Sequence, residues 1–184
     1  DCSQSRGLGD VYKRQLIQSQ KSFFETGKTR DISFIKGKLR RLKESIITNE
    51  DTIHQALYKD FKKPKFEAYI SEFGILISEI DIVLNNLSKW SKPKKVRASK
   101  LNFPSKDYIY SEPYGTVLVI APWNYPFQLA ISPVISAIAA GNTVVLKPSE
   151  VSSHTAVIIK TILSDIFDDA HPCVELGGVS ETTT

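Results

Sequence analysis

The 184-residue sequence contains no methionine and only two cysteines, Cys2 and Cys173. Two cysteines this far apart do not indicate a disulfide framework, so we expect a reducing compartment, by default the cytoplasm. Long apolar runs are also missing, because prolines interrupt the most apolar region, and the N-terminus lacks the apolar core of a signal peptide. We therefore expect a cytoplasmic protein without a membrane span.

The two ends of the chain carry little structural signal. Residues 1–15 have neither periodicity nor an apolar face, and we interpret them as a non-native or disordered tail. Without methionine the chain has no initiator, and it stops on three threonines shortly after a predicted strand. We therefore expect the chain to be a fragment of a longer protein.

Basic residues are concentrated in one segment. Seven lysines and arginines and no acidic residue lie between Lys89 and Lys106, although the whole chain carries a net charge of only +4. The segment is either a nucleic-acid patch or a solvated linker and hairpin. We favour the second interpretation, without nucleic acid, because no recognised binding module surrounds it. The three histidines, His54, His154 and His171, have no metal-ligand spacing with one another or with the cysteines, so no metal site is predicted.

The hydrophobic pattern of the first half of the chain is helical. Pro64 breaks this pattern, and from Phe66 to Trp90 the sequence predicts one long helix with a continuous apolar face. Tyr108 to Tyr110 then alternates like a strand with one wet face. We divide the chain into a tail, a helical segment, a basic hairpin and a partial dinucleotide-binding domain at residues 1–15, 16–93, 94–111 and 112–184.

The last of these parts has the pattern of alternating strands and helices. Two apolar runs, Thr116–Ile120 and Thr143–Leu146, flank a helical stretch that ends at Gly141-Asn142, a good helix stop. A helix over about Ser152–Phe167 and a third strand over Pro172–Leu176 follow. Such units pair their strands in parallel, so the loops after the first two strands meet at one edge, where α/β proteins bind ligands. We predict an α/β fold: an N-terminal helical layer followed by the incomplete first half of a doubly wound, Rossmann-like parallel sheet.

Asn124 is the strongest candidate for a functional residue in the first loop. Pro126 suits the first position of the following helix, which would place Asn124 near a helix N-terminus that favours developing negative charge. The Asn124 amide is a neutral donor and therefore suits an oxyanion. A cap in a tight turn explains the same residue, and spacing alone favours neither interpretation.

Lys147 and Glu150 are the corresponding candidates in the second loop. A cation and a carboxylate three residues apart at the ligand edge suit a ribose, with the lysine donating to hydroxyls and the glutamate accepting from them. The alternative is a surface lysine and a glutamate favoured by the helix dipole in a first turn. Without the strand–helix–strand geometry, that alternative is preferred.

The motifs in these loops resemble those of the aldehyde dehydrogenase superfamily. EPYGTVLVIAPWNYPFQLAISPVISAIAAGNTVVLKPSE (Glu112 to Glu150) and KSFFETGKTRDISFIKGKLRRL (Lys21 to Leu42) carry the resemblance. With GGVSETT at Gly177 to Thr183, they are most similar to the class 3 branch. The similarity covers Lys21 to Thr184.

This resemblance implies roles for particular residues. Asn124 matches the oxyanion-hole asparagine of the family, and the arm at Val96 to Tyr110 resembles one that supports oligomerisation, so a homodimer is expected for the complete protein. The cofactor is NAD, possibly NADP, and the substrate an aldehyde that is oxidised to a carboxylate through a cysteine thioester. Four residues match the wall of the cofactor cleft: Ile120, Ala121, Pro122 and Trp123. Three residues lie in the loop that matches the one holding the adenosine ribose: Lys147, Ser149 and Glu150.

The resemblance also locates chemistry outside the chain. In the family the nucleophilic cysteine and the general-base glutamate lie downstream of the position of Thr184, and Cys173 and Glu175 do not match them. Two hypotheses follow. The chain is the N-terminal part of an NAD(P)-dependent aldehyde dehydrogenase and is inactive alone, or it is a real, catalytically inactive product that acts through its oligomerisation surfaces.

Overall fold

The computed structural model describes residues 2–167 and 173–176. Within these residues the helices are α1 (Cys2–Glu25), α2 (Ile32–Thr48), α3 (Glu50–Phe61), α4 (Lys65–Ala68), α5 (Gly74–Trp90), α6 (Gln128–Ala139) and α7 (Ser153–Ile166). Three 3-10 turns span Lys28–Arg30, Lys100–Asn102 and Glu150–Ser152. The strands are β1 (Lys94–Val96), β2 (Asp107–Ile109), β3 (Thr116–Ile120), β4 (Thr143–Lys147) and β5 (Cys173–Val174).

The β3, β4 and β5 strands form a parallel sheet in that order. Thr116 is opposite Thr143 and Ile120 opposite Lys147, so β3 and β4 run in register along their full lengths. Every residue of β4 is buried, as expected for the central strand of a covered parallel sheet. A hydrogen bond from the Glu175 N–H to the Leu146 carbonyl, at 2.9 Å, extends the pairing of β5 with β4. The predicted α/β fold is confirmed.

The core lies where the helical layer meets the sheet. α6 and α7 pack on β3, β4 and β5, and α2, α3 and α5 pack on α6 and α7. One continuous cluster of buried side chains joins the two layers, from Leu39 in α2 through Phe127 and Ile131 to Leu146 in β4. The helical layer and the sheet therefore share a single core, which fixes the position of the α3–α5 region over the sheet.

Helix α6 ends at the predicted stop. Gly141 adopts a left-handed φ of +84° and donates its N–H to the Ile138 carbonyl, while the Asn142 N–H reaches the Ala137 carbonyl. This pair of bonds is the Schellman arrangement, which closes a helix and favours glycine. The Asn142 side chain then accepts from the Gly115 N–H at 3.0 Å and ties the end of α6 to the start of β3.

Three sequence-based expectations differ from the structure. α6 begins at Gln128 rather than at Pro126, because its capping position is Phe127. The helix predicted from Phe66 to Trp90 is interrupted by a π-helical turn over Tyr69–Phe73, in which the Gly74 N–H bonds to the Tyr69 carbonyl. Helix α1 begins at Cys2 and therefore includes residues 2–15, which we expected to be a non-native or disordered tail. The non-native origin of the tail stays a prediction.

The basic segment includes a short antiparallel hairpin. Lys94 pairs with Ile109 and Val96 with Asp107. Leu101 and Phe103 in the hairpin loop are 95% and 87% exposed. The segment therefore contains a hairpin, and its interpretation as a solvated linker without nucleic-acid binding stays a prediction.

Candidate active site at the carboxyl edge of the sheet

The two candidate loops are joined where they leave the sheet. The Ala121 N–H donates to the Lys147 carbonyl at 3.0 Å, one residue beyond the last pair of the β3–β4 ladder. The loop of residues 121–127 and the loop of residues 148–152 therefore start side by side. This is the shared edge that the sequence predicted.

Asn124 has an exposed side chain in the first of these loops. α6 is capped at Phe127 without a side-chain bond, and no hydrogen-bond partner of the Asn124 amide occurs among residues 2–167 and 173–176. The helix-cap interpretation is therefore wrong, because the amide does not satisfy the helix terminus. Its N–H groups remain available to a ligand. Tyr125, immediately after it, has a left-handed φ of +55°, which turns the chain sharply into α6.

A cleft of about 340 Å³ opens in front of Asn124. Trp123 and Tyr125 line it on the side of the Asn124 loop. The other lining residues belong to the end of α3, to the α3–α4 connection and to α4: Phe61, Lys62, Lys63, Pro64 and Glu67. The Trp123 and Phe61 rings lie 6.4 Å apart, centroid to centroid, at 36°. The cleft is thus lined by aromatic rings, two lysines, one carboxylate and one neutral amide donor.

Four consecutive residues make up the predicted wall of the cofactor cleft. Ala121 is buried, whereas Ile120, Pro122 and Trp123 are exposed. Ile120 is 63% and Trp123 57% exposed, and both belong to the stretch that leaves β3. These residues provide an apolar surface beside the two polar loops, as a planar ligand ring requires.

Lys147 and Glu150 form an ion pair in the second loop. The Lys147 Nζ lies 2.6 Å from the Glu150 Oε2. Lys147 ends the buried strand β4 and is 8% exposed, whereas Glu150 is exposed. The hydrogen bond from Lys147, helped by a backbone N–H, lowers the pKa of Glu150 below its ordinary value. The carboxylate therefore stays charged and presents free oxygen lone pairs to solvent at the edge of the sheet.

Ser149 shapes the same loop from within. Its hydroxyl accepts from the Val151 N–H at 3.3 Å and so caps the 3-10 turn that contains Glu150. The Ser152 hydroxyl donates back to the Ser149 carbonyl at 3.2 Å. Ser149 is buried, and in this structure it orders the loop around the ion pair.

Two buried carboxylates behind these loops were missed by the sequence analysis. The Glu72 Oε2 accepts from the Phe127 N–H at 2.8 Å and from the Gln128 N–H at 3.3 Å, at the N-terminus of α6. The Asp60 Oδ2 accepts from the Thr155 N–H at 2.8 Å, in the first turn of α7. One signal was available: Glu72 stands next to Phe73 on the apolar face of the predicted helix, where a charge needs a partner.

Other features of the described residues lie away from this edge. A larger cavity of about 630 Å³, bordered by Thr29, Trp90, Tyr110 and Gly141, lies near the amino ends of β3 and β4 and contains none of the candidate residues.

No group of three or more potential metal ligands occurs in the part of the chain that the structure describes. No helix in the same part is both long and apolar enough to cross a membrane. The GGVSETT motif at Gly177 to Thr183 lies outside the described residues.

Comparison with known proteins identifies the family. The profile of the aldehyde dehydrogenase family matches residues 14–171. The chain is 47% identical over 170 residues to 4,4'-diaponeurosporen-aldehyde dehydrogenase of Staphylococcus aureus, covering 92% of this chain and 37% of that protein. It is 41% identical over 178 residues to aldehyde dehydrogenase family 3 member B2 of mouse, covering 97% of this chain and 37% of that protein. The class 3-like resemblance is thus confirmed.

Solved structures agree with the sequence relatives. The substrate-bound structure of Staphylococcus aureus AldH superposes with a TM-score of 0.90 at 47% identity, covering 92% of this chain and 37% of that one. A structure of Gox0499, at 15% identity and a TM-score of 0.78, shows the same fold. The chain thus spans about 37% of the length of the curated relatives named here. From its motifs, its sheet edge and these relatives, it belongs to the aldehyde dehydrogenase family.

Proposed function

We propose that this chain supplies the oxyanion donor and the adenosine-ribose half of the cofactor site of an NAD(P)-dependent aldehyde dehydrogenase. The enzyme oxidises aldehydes to carboxylic acids through a cysteine thioester. The observation that carries the proposal is the bond from the Ala121 N–H to the Lys147 carbonyl, because it brings the Asn124 loop and the Lys147–Glu150 pair to one edge.

Asn124 acts on the substrate oxygen in this proposal. When a thiolate attacks the aldehyde carbonyl, negative charge moves to the oxygen, and a positioned amide N–H stabilises it most where water is excluded. The exposed Asn124 amide meets the requirement for a neutral donor with free N–H groups. The nucleophilic cysteine and the glutamate that activates water for thioester hydrolysis are assigned to residues outside this chain.

Lys147 and Glu150 hold the cofactor by its ribose. The site fits such a diol, because a nearly buried ammonium and an exposed carboxylate 2.6 Å apart offer a donor and an acceptor to adjacent hydroxyls. A bound nicotinamide cofactor supplies the hydride acceptor that aldehyde oxidation needs. Glu150 disfavours a ribose 2′-phosphate by charge, which favours NAD, and Lys147 partly offsets this effect and permits NADP.

We also propose a cytoplasmic homodimer for the complete protein. The chain has two cysteines, which suits a reducing compartment. The basic hairpin and the residue after it expose three large apolar or aromatic side chains, Leu101, Phe103 and Tyr110, and such side chains suit burial against a second copy. Among the relatives, one mouse protein is named a dimeric, NADP-preferring aldehyde dehydrogenase; it is 40% identical over 169 residues.

The test compares two proteins. The 184-residue chain and the protein encoded by the continuation of its reading frame are each mixed with NAD or NADP and a set of aldehydes, and NAD(P)H formation is followed by absorbance. We expect aldehyde-dependent reduction by the longer protein and none by the chain alone. Turnover by the chain alone would overturn the assignment of the nucleophile, and no turnover by the longer protein would overturn the proposed function.

A further inference from the structure

One short stretch of the helical layer contacts the loop of residues 121–127 and the first turn of α7, which follows the loop of residues 148–152. It runs from Asp60 near the end of α3 to Glu72 in the π-helical turn, and we call it the connector, residues 60–72. Each end of the connector carries a nearly inaccessible carboxylate: Glu72 is fully buried and the Asp60 side chain is 3% exposed. Two such charges need partners, and both find them at the helix N-termini behind the candidate loops.

Glu72 is bound on both of its oxygens. Oε2 accepts the N–H groups of Phe127 and Gln128, which are orphan donors at the start of α6. Oε1 is paired with the ammonium of Lys63, whose side chain is 10% exposed. The Lys63 Nζ also lies 4.4 Å from the centroid of the Tyr125 ring. Asn124 directly precedes Tyr125. Its loop is therefore held at two points, by Lys63 at the Tyr125 ring and by Glu72 at the Phe127 N–H.

The π-helical turn accounts for the direction of Glu72. Tyr69 stacks on Phe73, with centroids 5.5 Å apart, and a β-carbon at Gly74 would lie 3.2 Å from the Tyr69 carbonyl. A π turn holds one residue more than the α-helix around it and shifts the face that side chains occupy. Such turns occur frequently at functional sites. Here the turn carries the charged residue that reaches α6.

Asp60 makes the equivalent contact with α7. Its Oδ2 accepts from both the N–H and the hydroxyl of Thr155, each at 2.8 Å, and its Oδ1 accepts from the His154 N–H at 3.2 Å. The His154 Nδ1 lies 2.8 Å from the same Oδ1. Burial alone would raise the pKa of Asp60, but these bonds together hold it below its ordinary value. The first turn of α7 follows directly on the 3-10 turn that carries Glu150.

We propose that Glu72 and Asp60 are positioning residues of the candidate site, Glu72 for the Asn124 loop and Asp60 for the Lys147–Glu150 loop. Neither carboxylate touches substrate or cofactor. Each acts by fixing the helix N-terminus that follows its loop. The catalytic part of this inference rests on the proposed function, and the structural part does not.

The structural part is tested on the 184-residue chain by amide hydrogen exchange. In Glu72→Gln we expect faster exchange at Phe127 and Gln128 and unchanged exchange at Thr155. In Asp60→Asn we expect the reverse. This crossed pattern separates local release from general destabilisation, which would speed exchange at both helices. Equal rates in wild type and both variants, or a loss of protection at both helices in each variant, would overturn the proposal.

The catalytic part is tested on the longer protein by steady-state kinetics. In Glu72→Gln we expect kcat to fall by about tenfold or more with the cofactor KM within about twofold, since small misplacement of a catalytic donor is costly. In Asp60→Asn we expect a cofactor KM higher by about tenfold with kcat within about twofold. If Glu72→Gln does not fold, Glu72→Asp keeps the charge but shortens the reach, and it should show the same fall in kcat.

The outcomes distinguish the two proposals. Crossed hydrogen exchange with wild-type kinetics in both variants would overturn the catalytic part of the inference. A wild-type longer protein without aldehyde-dependent turnover would overturn the proposed function, while the exchange experiment still decides whether the carboxylates hold the two helices.

Discussion

The Ala121 backbone N–H lies 3.0 Å from the Lys147 carbonyl oxygen and donates to it. This bond follows the last pair of the β3–β4 ladder, Ile120 opposite Lys147. The two loops therefore depart from a common, rigid point rather than from independent strand ends. A substitution in one loop is expected to change one step of the reaction, because the strands that anchor both loops stay fixed.

Asn124→Ala should reduce turnover without loosening the cofactor. Because the amide would be needed only as negative charge develops on the substrate oxygen, we expect kcat of the longer protein to fall by about 10²–10³-fold. The cofactor KM should stay nearly unchanged. Steady-state kinetics with a saturating aldehyde provide the measurement. Asn85→Ala, at an exposed position of α5, serves as the matched control. A kcat equal to that of the control would remove Asn124 from the mechanism.

Glu150→Gln should change the choice between the two cofactors. The carboxylate repels a ribose 2′-phosphate, so its neutral isostere should raise kcat/KM for NADP relative to NAD several-fold. Glu44→Gln, an exposed glutamate of α2, controls for the change in net charge. If the two variants show the same NADP/NAD ratio, Glu150 does not contact the ribose.

The preference for NAD over NADP that Glu150 provides should also persist on mild acidification. Lys147 lowers the pKa of Glu150, so the carboxylate keeps its charge as the pH falls to the ordinary range of a glutamate. It loses that charge only when the pH falls through its lowered value. Cofactor binding measured against pH should therefore keep its preference for NAD through that range. In Lys147→Met, the preference should disappear at a higher pH than in wild type.

His54 should make the fold sensitive to acid. It is 6% exposed, neither ring nitrogen has a hydrogen-bond partner among the described residues, and burial lowers its pKa against the opposing charge of Glu50. The unfolded chain therefore binds a proton that the folded chain refuses, and stability falls as the pH drops below about 6.5. We expect His54→Leu to flatten this fall in the free energy of unfolding, measured by urea denaturation at several pH values. Identical pH slopes in both chains would contradict it.

Two glycines should respond in opposite directions to the same substitution. Gly141 has φ +84°, and a β-carbon there would lie 3.0 Å from the Thr29 carbonyl, so Gly141→Ala should destabilise the fold by about 1–2 kcal/mol or more. Gly37 lies inside α2 with no atom within 4 Å of its virtual β-carbon. Gly37→Ala should stabilise by about 0.5–1 kcal/mol. Urea denaturation of both variants gives the two signs, and a stabilising Gly141→Ala would refute the Schellman argument.

Local patterns predicted most of the sheet and its edge. Short β-branched runs, a glycine stop and the parallel pairing rule sufficed for β3, α6 and β4, because each signal lies within a few residues of the element that it specifies. The same rules placed Asn124 and Lys147 at one edge, and the Ala121–Lys147 bond agrees with that placement.

Contacts between distant residues explain what was not predicted. The sequence allowed two roles for Asn124, an oxyanion donor and a helix cap. The start of α6 is instead bound by Glu72, which lies 55 residues before Phe127 in the chain. Asp60 bonds to Thr155 across 95 residues. Helix periodicity carries no information on such pairings. The hydrophobic pattern therefore predicted neither the π-helical turn nor the contact of Glu72 with α6.

The π-helical turn has a consequence for the comparison of related chains. Successive residues of a helix are rotated by about 100° around its axis, so a relative that is one residue shorter between Lys63 and Gly74 would turn a neighbour of Glu72 towards α6. In this chain, deletion of one residue of the turn would bring Ser71 or Phe73 to the N-terminus of α6 and leave the N–H groups of Phe127 and Gln128 without a carboxylate. The number of residues between Lys63 and Gly74 is therefore expected to decide whether a carboxylate reaches the start of α6.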